Sequence, residues 1–191
     1  MNLVRFLKQS PDLLDAACTE EFASDWQQVH LKIGAHLTRQ EDSETNEFVL
    51  LEGCLASSIG DQDGKEVCVG FYIGPCVVTP NIARTQGGVS RVSIVATSDA
   101  SLAKISSDVL TNWMITSEPV RNWGNGILHE ALCQKADREW CLAALGGAER
   151  LAWFRQVFPG YEATFAHALI ASFLGITPVT MSRLRAHDKG R

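Results

Sequence analysis

Near one end of this chain, Thr177, Thr180, Ser182, Arg183 and Arg185 crowd hydroxyl and guanidinium groups into a short stretch beside Pro178, Met181 and Leu184. Hydroxyls of this kind pair with phosphates or base edges, and an arginine binds O6 and N7 of guanine in a fork. The chemistry on offer is contact with the major groove of DNA. Such contact needs a helix, and the local sequence supplies one. Thr177 suits an N-cap, and Pro178 follows at the first helical position, where a missing N–H costs nothing. The helix is expected to run to about Ala186 with Met181 and Leu184 on its buried side. Thr180, Ser182 or Arg183, and Arg185 then face outward in some combination.

The element that positions this helix is read just before it. From Ala163 the chain puts Phe165, Leu169, Ile170, Phe173 and Leu174 on one face at helical spacing, with alanines that let another helix approach closely. Gly175 ends that segment, because glycine takes the left-handed backbone a helix C-terminus needs. Two short helices joined by a glycine turn form a helix-turn-helix pattern. An ordinary helical hairpin shares the spacing, but a helix that serves only as packing has no use for Arg183 and Arg185 beside so little acid. Charge adds a second argument. The chain carries a net −5, yet residues 1–147 hold 11 Lys/Arg against 19 Asp/Glu while residues 148–191 hold 6 against 3. A basic end on an acidic body can bind DNA at one place and repel it elsewhere.

With 191 residues, 46% apolar content and 20% charge, the chain has material for one large domain or two small ones around a real core. It contains no apolar run long enough to span a bilayer and no secretory leader pattern, so a cytoplasmic protein with no membrane contact is expected. Cys18, Cys54, Cys68, Cys76, Cys133 and Cys141 lack the spacing of a zinc or iron–sulfur site, and His30, His36, His129, His167 and His187 share no metal spacing. No metal and no cofactor are evident. An enzyme is not expected: there is no nucleophile–base constellation and no phosphate-cradling glycine motif, and Gly87-Gly88 reads as a hairpin tip.

From Gln28 to Ser106 the pattern changes to short apolar runs separated by turns. Phe48-Val-Leu-Leu51, Cys54-Leu-Ala56, Lys65 to Ile73, Cys76-Val-Val78, Val89 to Ala96 and Ser101 to Ile105 read as strands. Asp63-Gly64 is a hairpin signal, since both turn positions need positive φ. Such spacing predicts a small barrel or jelly roll. A mainly helical stretch, Ser107 to about Leu145, follows with Val109, Leu110, Trp113, Met114, Val120, Trp123, Ile127, Leu128, Leu132 and Trp140 as apolar positions. Gly124 and Gly126 weaken it in the middle by roughly 1 kcal/mol each. A connector buried on one side wants a partner on the other, and a homodimer seam is the simplest choice.

Barrel, long helix and helix-turn-helix in this order resemble the Crp/Fnr family of bacterial transcription regulators along nearly the whole chain. Gly34, Leu50-Leu-Glu-Gly-Cys54, Asp63-Gly-Lys-Glu66 and Gly74-Pro75 look like barrel landmarks, and Gly147-Ala-Glu-Arg-Leu151 with Phe158-Pro159 resembles the entry to the DNA-binding domain. The most specific match is Ile170 to Arg185, which resembles a subgroup that writes this helix Thr-Pro-x-Thr-Leu-Ser-Arg. The resemblance implies an α+β chain in three parts. Residues 1–106 form N-terminal helices and a cyclic-nucleotide-binding-like β-barrel (jelly roll), 107–146 a connector or dimerisation helix, and 147–191 a helix-turn-helix whose wing is absent or vestigial, with contacts expected from the basic tail His187 to Arg191.

What the resemblance implies for function is a homodimer on double-stranded DNA with a two-fold symmetric site, and RNA polymerase as a further partner. Arg183 falls on the family's base-contacting arginine. Thr177, Thr180, Ser182 and Arg185 fall where members touch phosphates or neighbouring bases, and Val179 stands where many carry a glutamate. For an effector, Arg91 aligns with the family's phosphate-binding arginine, Ser93 is one place late for its hydroxyl partner, and Cys76 stands where the ribose-binding glutamate is missing. Cyclic AMP in the usual manner is therefore in doubt, and Arg91 also reads as an ordinary strand residue paired with an acid or solvent. Two alternatives stand beside the regulator: a ligand- or redox-sensing module with Cys76 as its switch, and a protein-interaction module built on the barrel and long helix.

Overall fold

The run Phe48-Val-Leu-Leu51 has no polar alternation because both of its faces are covered. In the structure, a computed structural model that describes residues 1–14, 16–60 and 64–189, this run lies in the middle of a sheet packed on both sides. Helices α1 (Leu3–Leu7) and α2 (Thr19–Ser24) come first. The strands β1 (Gln27–Leu31), β2 (His36–Thr38), β3 (Asn46–Glu52), β4 (Cys54–Gly60), β5 (Glu66–Ile73) and β6 (Cys76–Val77) follow. After the single turn α3 (Asn81–Arg84) come β7 (Thr85–Gln86), β8 (Val89–Ser90), β9 (Ser93–Ala96) and β10 (Ala100–Ser106).

Two four-stranded antiparallel sheets, ordered β1-β10-β3-β6 and β2-β9-β4-β5, face each other as the expected jelly roll, and β7 and β8 form the hairpin expected at Gly87-Gly88. β4 and β5 also pair as a hairpin, although Asp61 to Asp63 at its tip lie outside the described residues. Between the sheets, Phe48 and Leu50 from β3 meet Leu55, Tyr72, Ile94 and Leu102. On the opposite face of the first sheet, Val49, Leu51, Ala103 and Ile105 pack under helices that contribute Leu7, Phe22 and Trp123. Successive strand residues point to opposite faces, so a strand covered on both reads as a continuous apolar run.

The expected connector is two helices, α4 (Ser107–Thr116) and α5 (Glu118–Ala144). The break falls at Ser117, which is extended (φ −123°), and not at the glycines. Pro119 is the reason: proline is accepted in a first helical turn but would clash with the preceding turn inside a continuous helix. Gly124 has its own role. A Cβ there would stand 2.8 Å from the Met114 side chain, so the glycine is what lets α4 lie against α5.

Helix α6 (Gly147–Val157) then leads to α7 (Tyr161–Thr164), α8 (His167–Phe173) and α9 (Pro178–Lys189). The single helix expected from Ala163 is thus interrupted at Phe165. That residue is extended (φ −105°) and turns its ring onto Phe71 of β5, centroid to centroid 4.6 Å. Phe71 also meets Phe154 at 6.0 Å and Phe173 at 5.3 Å, so β5 carries Tyr72 into the sandwich and Phe71 into the helical core. Gly190 and Arg191, and the side chains of Asp188 and Lys189 in the expected basic tail, lie outside the described residues.

Candidate nucleic-acid interface

The turn before α9 is built as its residues predict. Gly175 takes φ +63°, and the Ile176 N–H returns to the Ala171 carbonyl at 3.0 Å, closing the end of α8. Thr177 caps the next helix: its Oγ1 accepts from the Thr180 N–H at 3.1 Å and shares a hydrogen bond with Thr180 Oγ1 at 2.9 Å. Met181 is 1% exposed, buried with Ile170, Phe173 and Leu174, and Leu184 is half-buried against the same core. Pinned from behind, α9 turns Val179, Ser182 and Arg183 to solvent, with Thr177 exposed at its start and Thr180 half-buried.

Arg185 sits differently. Its Nε donates to Glu162 Oε1 at 2.7 Å and its Nη1 lies 3.0 Å from His167 Nδ1. Glu162 also accepts from Arg155 Nε at 2.6 Å, and that bond, followed by the Arg185 bond, holds its carboxyl below the usual range against the opposing effect of burial. Arg185 therefore ties α9 to α7 and α8 from the side, and its half-buried guanidinium would have to leave Glu162 to reach a phosphate.

Two arginines that local sequence reasoning did not single out fix this unit to the rest of the chain. Arg150 donates to Leu142 O (2.8 Å) and Leu145 O (2.9 Å) at the end of α5, and to Leu174 O (3.0 Å) at the end of α8. One side chain thus satisfies carbonyls that two helix termini leave open. Arg138 donates from Nη2 to Cys68 O of β5 (3.3 Å) and Phe173 O of α8 (3.0 Å), and lies over the Phe173 ring at 4.6 Å. The Cys68 N–H in turn donates to Ser172 Oγ at 3.0 Å. No local pattern announces these roles, since the acceptors are backbone carbonyls brought together from distant elements.

The three effector candidates are not brought to one place. Arg91 is exposed and lines a cleft of about 1030 Å³ between the sheets and α5, with Lys135, Arg138, Glu41 and Glu139 in the same wall. Burial, and then the neighbouring Arg138, hold the Lys135 ammonium below its usual range. Ser93 Oγ accepts from the Gln40 N–H at 3.0 Å. Cys76 lines a separate cavity of about 340 Å³ beside Tyr72, Glu130 and Tyr161, and burial pushes its thiol up to about 12. The space between the sheets is filled by the apolar cluster around Leu50, Leu55 and Ile94, and the Tyr72 hydroxyl is paired with Thr79 Oγ1 at 2.9 Å. A cyclic nucleotide held by a ribose carboxylate and an arginine–hydroxyl pair does not fit these residues.

No family sequence pattern matches the chain, and no curated protein sequence does. Solved structures are similar to it in shape. FixK2 from Bradyrhizobium japonicum superposes with a TM-score of 0.75 at 16% identity over 86% of each chain. The c-di-GMP-responsive global regulator CLP from Xanthomonas campestris gives 0.72 at 16% identity over 92% of each. A protein described as a transcriptional regulator of the crp/fnr family from Eubacterium rectale gives 0.69 at 18% identity over 94% of this chain and 87% of that one. The chain has the Crp/Fnr fold. Within that fold α9 occupies the second helix of the helix-turn-helix, and α5 is the long helix joining the sheets to the C-terminal helices. No helix among the described residues is long and apolar enough to cross a membrane.

Proposed function

We propose that this chain is a sequence-specific DNA-binding transcription regulator of Crp/Fnr type, working in the cytoplasm as a homodimer. The observation that carries the reading is α9 itself. It is capped by Thr177, anchored by Met181 and held on its flank by Arg185, so that Ser182 and Arg183 stand exposed on a rigid support. Rigid placement is what a side chain needs to read a base edge, since a good bidentate pair is worth about 1–3 kcal/mol against the wrong base. The dimer reading draws on α5, whose Leu128, Leu132 and Trp140 are 38%, 68% and 57% exposed along its length. A long helix with an uncovered apolar stripe is completed by a second copy, and two copies of α9 then read a two-fold symmetric site. RNA polymerase would be the partner of such a regulator acting as an activator.

A sensor role draws on the cationic cleft, because Arg138 both lines it and holds Phe173 of α8. A redox switch at Cys76 is disfavoured: a reactive thiol needs a lowered pKa, whereas burial raises this one to about 12. The deciding experiment is selection of random duplex DNA by the purified protein at near-physiological salt. A symmetric motif with half-sites about ten base pairs apart is expected, and Arg183→Ala should weaken that site about ten-fold or more while changing random-sequence binding far less. Equal loss on both, or no enriched motif together with a monomer in light scattering, would overturn the proposal.

A further inference from the structure

The solvent-facing side of α9 carries one branched apolar residue among polar ones. Val179 is 60% exposed, and it takes part in none of the three apolar clusters of the described residues. Ser182 and Arg183, three and four positions further on, are exposed as well. Residues at that spacing lie side by side on a helix, so the valine, the hydroxyl and the guanidinium form one contiguous patch. The patch cannot roll away from solvent, because Met181 and Leu184 are held by the core behind it and Arg185 is bonded to Glu162 on the flank.

Helix stability does not account for Val179. Its branched Cβ restricts the rotamer and makes valine a poorer helix former than alanine, leucine or lysine. In a core, burial compensates for that; an exposed valine keeps little of the compensation. Val179 is also the second residue of α9, in the turn where the helix dipole favours a carboxylate. The first turn of α9 holds no acidic residue. A positive, acid-free N-terminal turn suits a groove walled by phosphates, and in that groove a branched apolar side chain has one base group to meet. Of the four bases, only thymine presents a methyl group to the major groove.

We infer that Val179 reads thymine: its methyl groups pack against the C5-methyl of a thymine close to the guanine that Arg183 holds. Val179 can do so only if α9 reads DNA, so the assignment rests on that function. Four residues of α-helix advance about 6 Å and successive bases stand about 3.4 Å apart, which places the thymine within about two base pairs of the guanine. Cytosine at the same place is disfavoured for a physical reason. It presents an N4 amino donor and no methyl, and a valine packed against that donor leaves it unpaired. Ser182 beside it can donate or accept, and so carries less of the discrimination.

The test uses the full chain. Sites enriched from random duplex DNA are rebuilt with deoxyuridine in place of one thymine at a time, which removes the methyl and keeps the base pair, and affinities are compared by fluorescence anisotropy. The guanine held by Arg183 is located as the base pair at which Arg183→Ala loses its preference. Demethylating one thymine within about two base pairs of it should weaken binding about four-fold per half-site, the equivalent of about 0.8 kcal/mol for one methyl, and about sixteen-fold when both half-sites are changed. Val179→Ala, at an exposed position outside the core, should fold normally and respond to the same replacement by less than about two-fold. Val179→Glu should exchange the preference for thymine at that position for cytosine, because a carboxylate accepts from the N4 amino group. A motif in which no thymine near that guanine responds to replacement, or a methyl effect that persists in full in Val179→Ala, overturns the assignment and leaves the DNA-reading function standing. No enriched motif at all overturns both.

Discussion

Phe71 is the side chain through which the sheets grip the helix-turn-helix, and its removal gives the sharpest test of how the two are joined. The ring is 7% exposed and lies 4.6, 5.3 and 6.0 Å from Phe165, Phe173 and Phe154. Truncation of such a ring costs about 3–5 kcal/mol in transfer and cavity terms. The aromatic pairs, about 0.5–1.5 kcal/mol each, are largely contained in that figure and are not added to it. The polar clasp remains in Phe71→Ala: Ser172 and Arg138 still hold Cys68, and Arg138 still holds Phe173 O. Some collapse of Phe165 toward the gap is open to the structure, so the lower half of the range, about 3 kcal/mol, is expected.

The loss should be unevenly distributed. Most of it falls on α6 to α9, because the opposite face of β5 keeps Tyr72 buried between the sheets. Urea unfolding should therefore show the total loss, and hydrogen exchange followed by mass spectrometry should show where it lies. Amides of α8 are expected to exchange about a hundredfold faster in Phe71→Ala, with those of β3 and β10 changing far less. A loss under about 1 kcal/mol, or equal acceleration on both sides, would refute the reasoning that β5 positions the helix-turn-helix through this ring.

Glu47 predicts a pH dependence of definite sign. Its carboxyl is raised to about 7 by burial, so between about pH 4.5 and 7 the unfolded chain has lost this proton and the folded chain has kept it; relative to Glu47→Gln, stability should fall across that window by at most roughly 3 kcal/mol and level off above it. Stability that rises across the same window in thermal melts would mean that the folded state holds the ionised form. Cys76, with its thiol at about 12, should alkylate slowly at pH 8 and still gain about ten-fold per pH unit to pH 10, while exposed Cys133 serves as the fast-reacting reference; a plateau for Cys76 below pH 10 would contradict the burial argument. Gly175→Ala forces a side chain onto φ +63° with its Cβ 3.2 Å from Arg150 Nη1, and should cost about 1 kcal/mol or more in urea unfolding; a neutral change would mean that the turn relaxes freely.

Arg138 and Arg150 explain how a change elsewhere in the chain would be felt at α9. Each spans elements far apart in sequence: Arg138 reaches from α5 to β5 and α8, and Arg150 from α6 to the ends of α5 and α8. A hydrogen bond from a charged donor is worth about 1.5–3 kcal/mol, so movement of α5 against the sheets cannot leave α8 undisturbed.

The strands, the glycine-ended helix and the capped helix after it were legible in the residues because each rests on local physics. The Thr177 hydroxyl meets the N–H three residues on, Gly175 alone tolerates the left-handed turn, and Phe48 to Leu51 need two covered faces whatever covers them. Even the break at Ser117 was written locally, in Pro119, though the glycines beyond it suggested a different place. The tertiary structure decided what depends on distant partners. It turned Arg185 onto Glu162, put Arg91 and Cys76 into different cavities, drew Phe165 out of its helix and buried Trp26 Nε1 without a hydrogen-bond partner among the described residues. A side chain's type and its neighbours in sequence determine which bonds it can make; which bonds it does make is set by the elements that packing brings within about 3 Å of it.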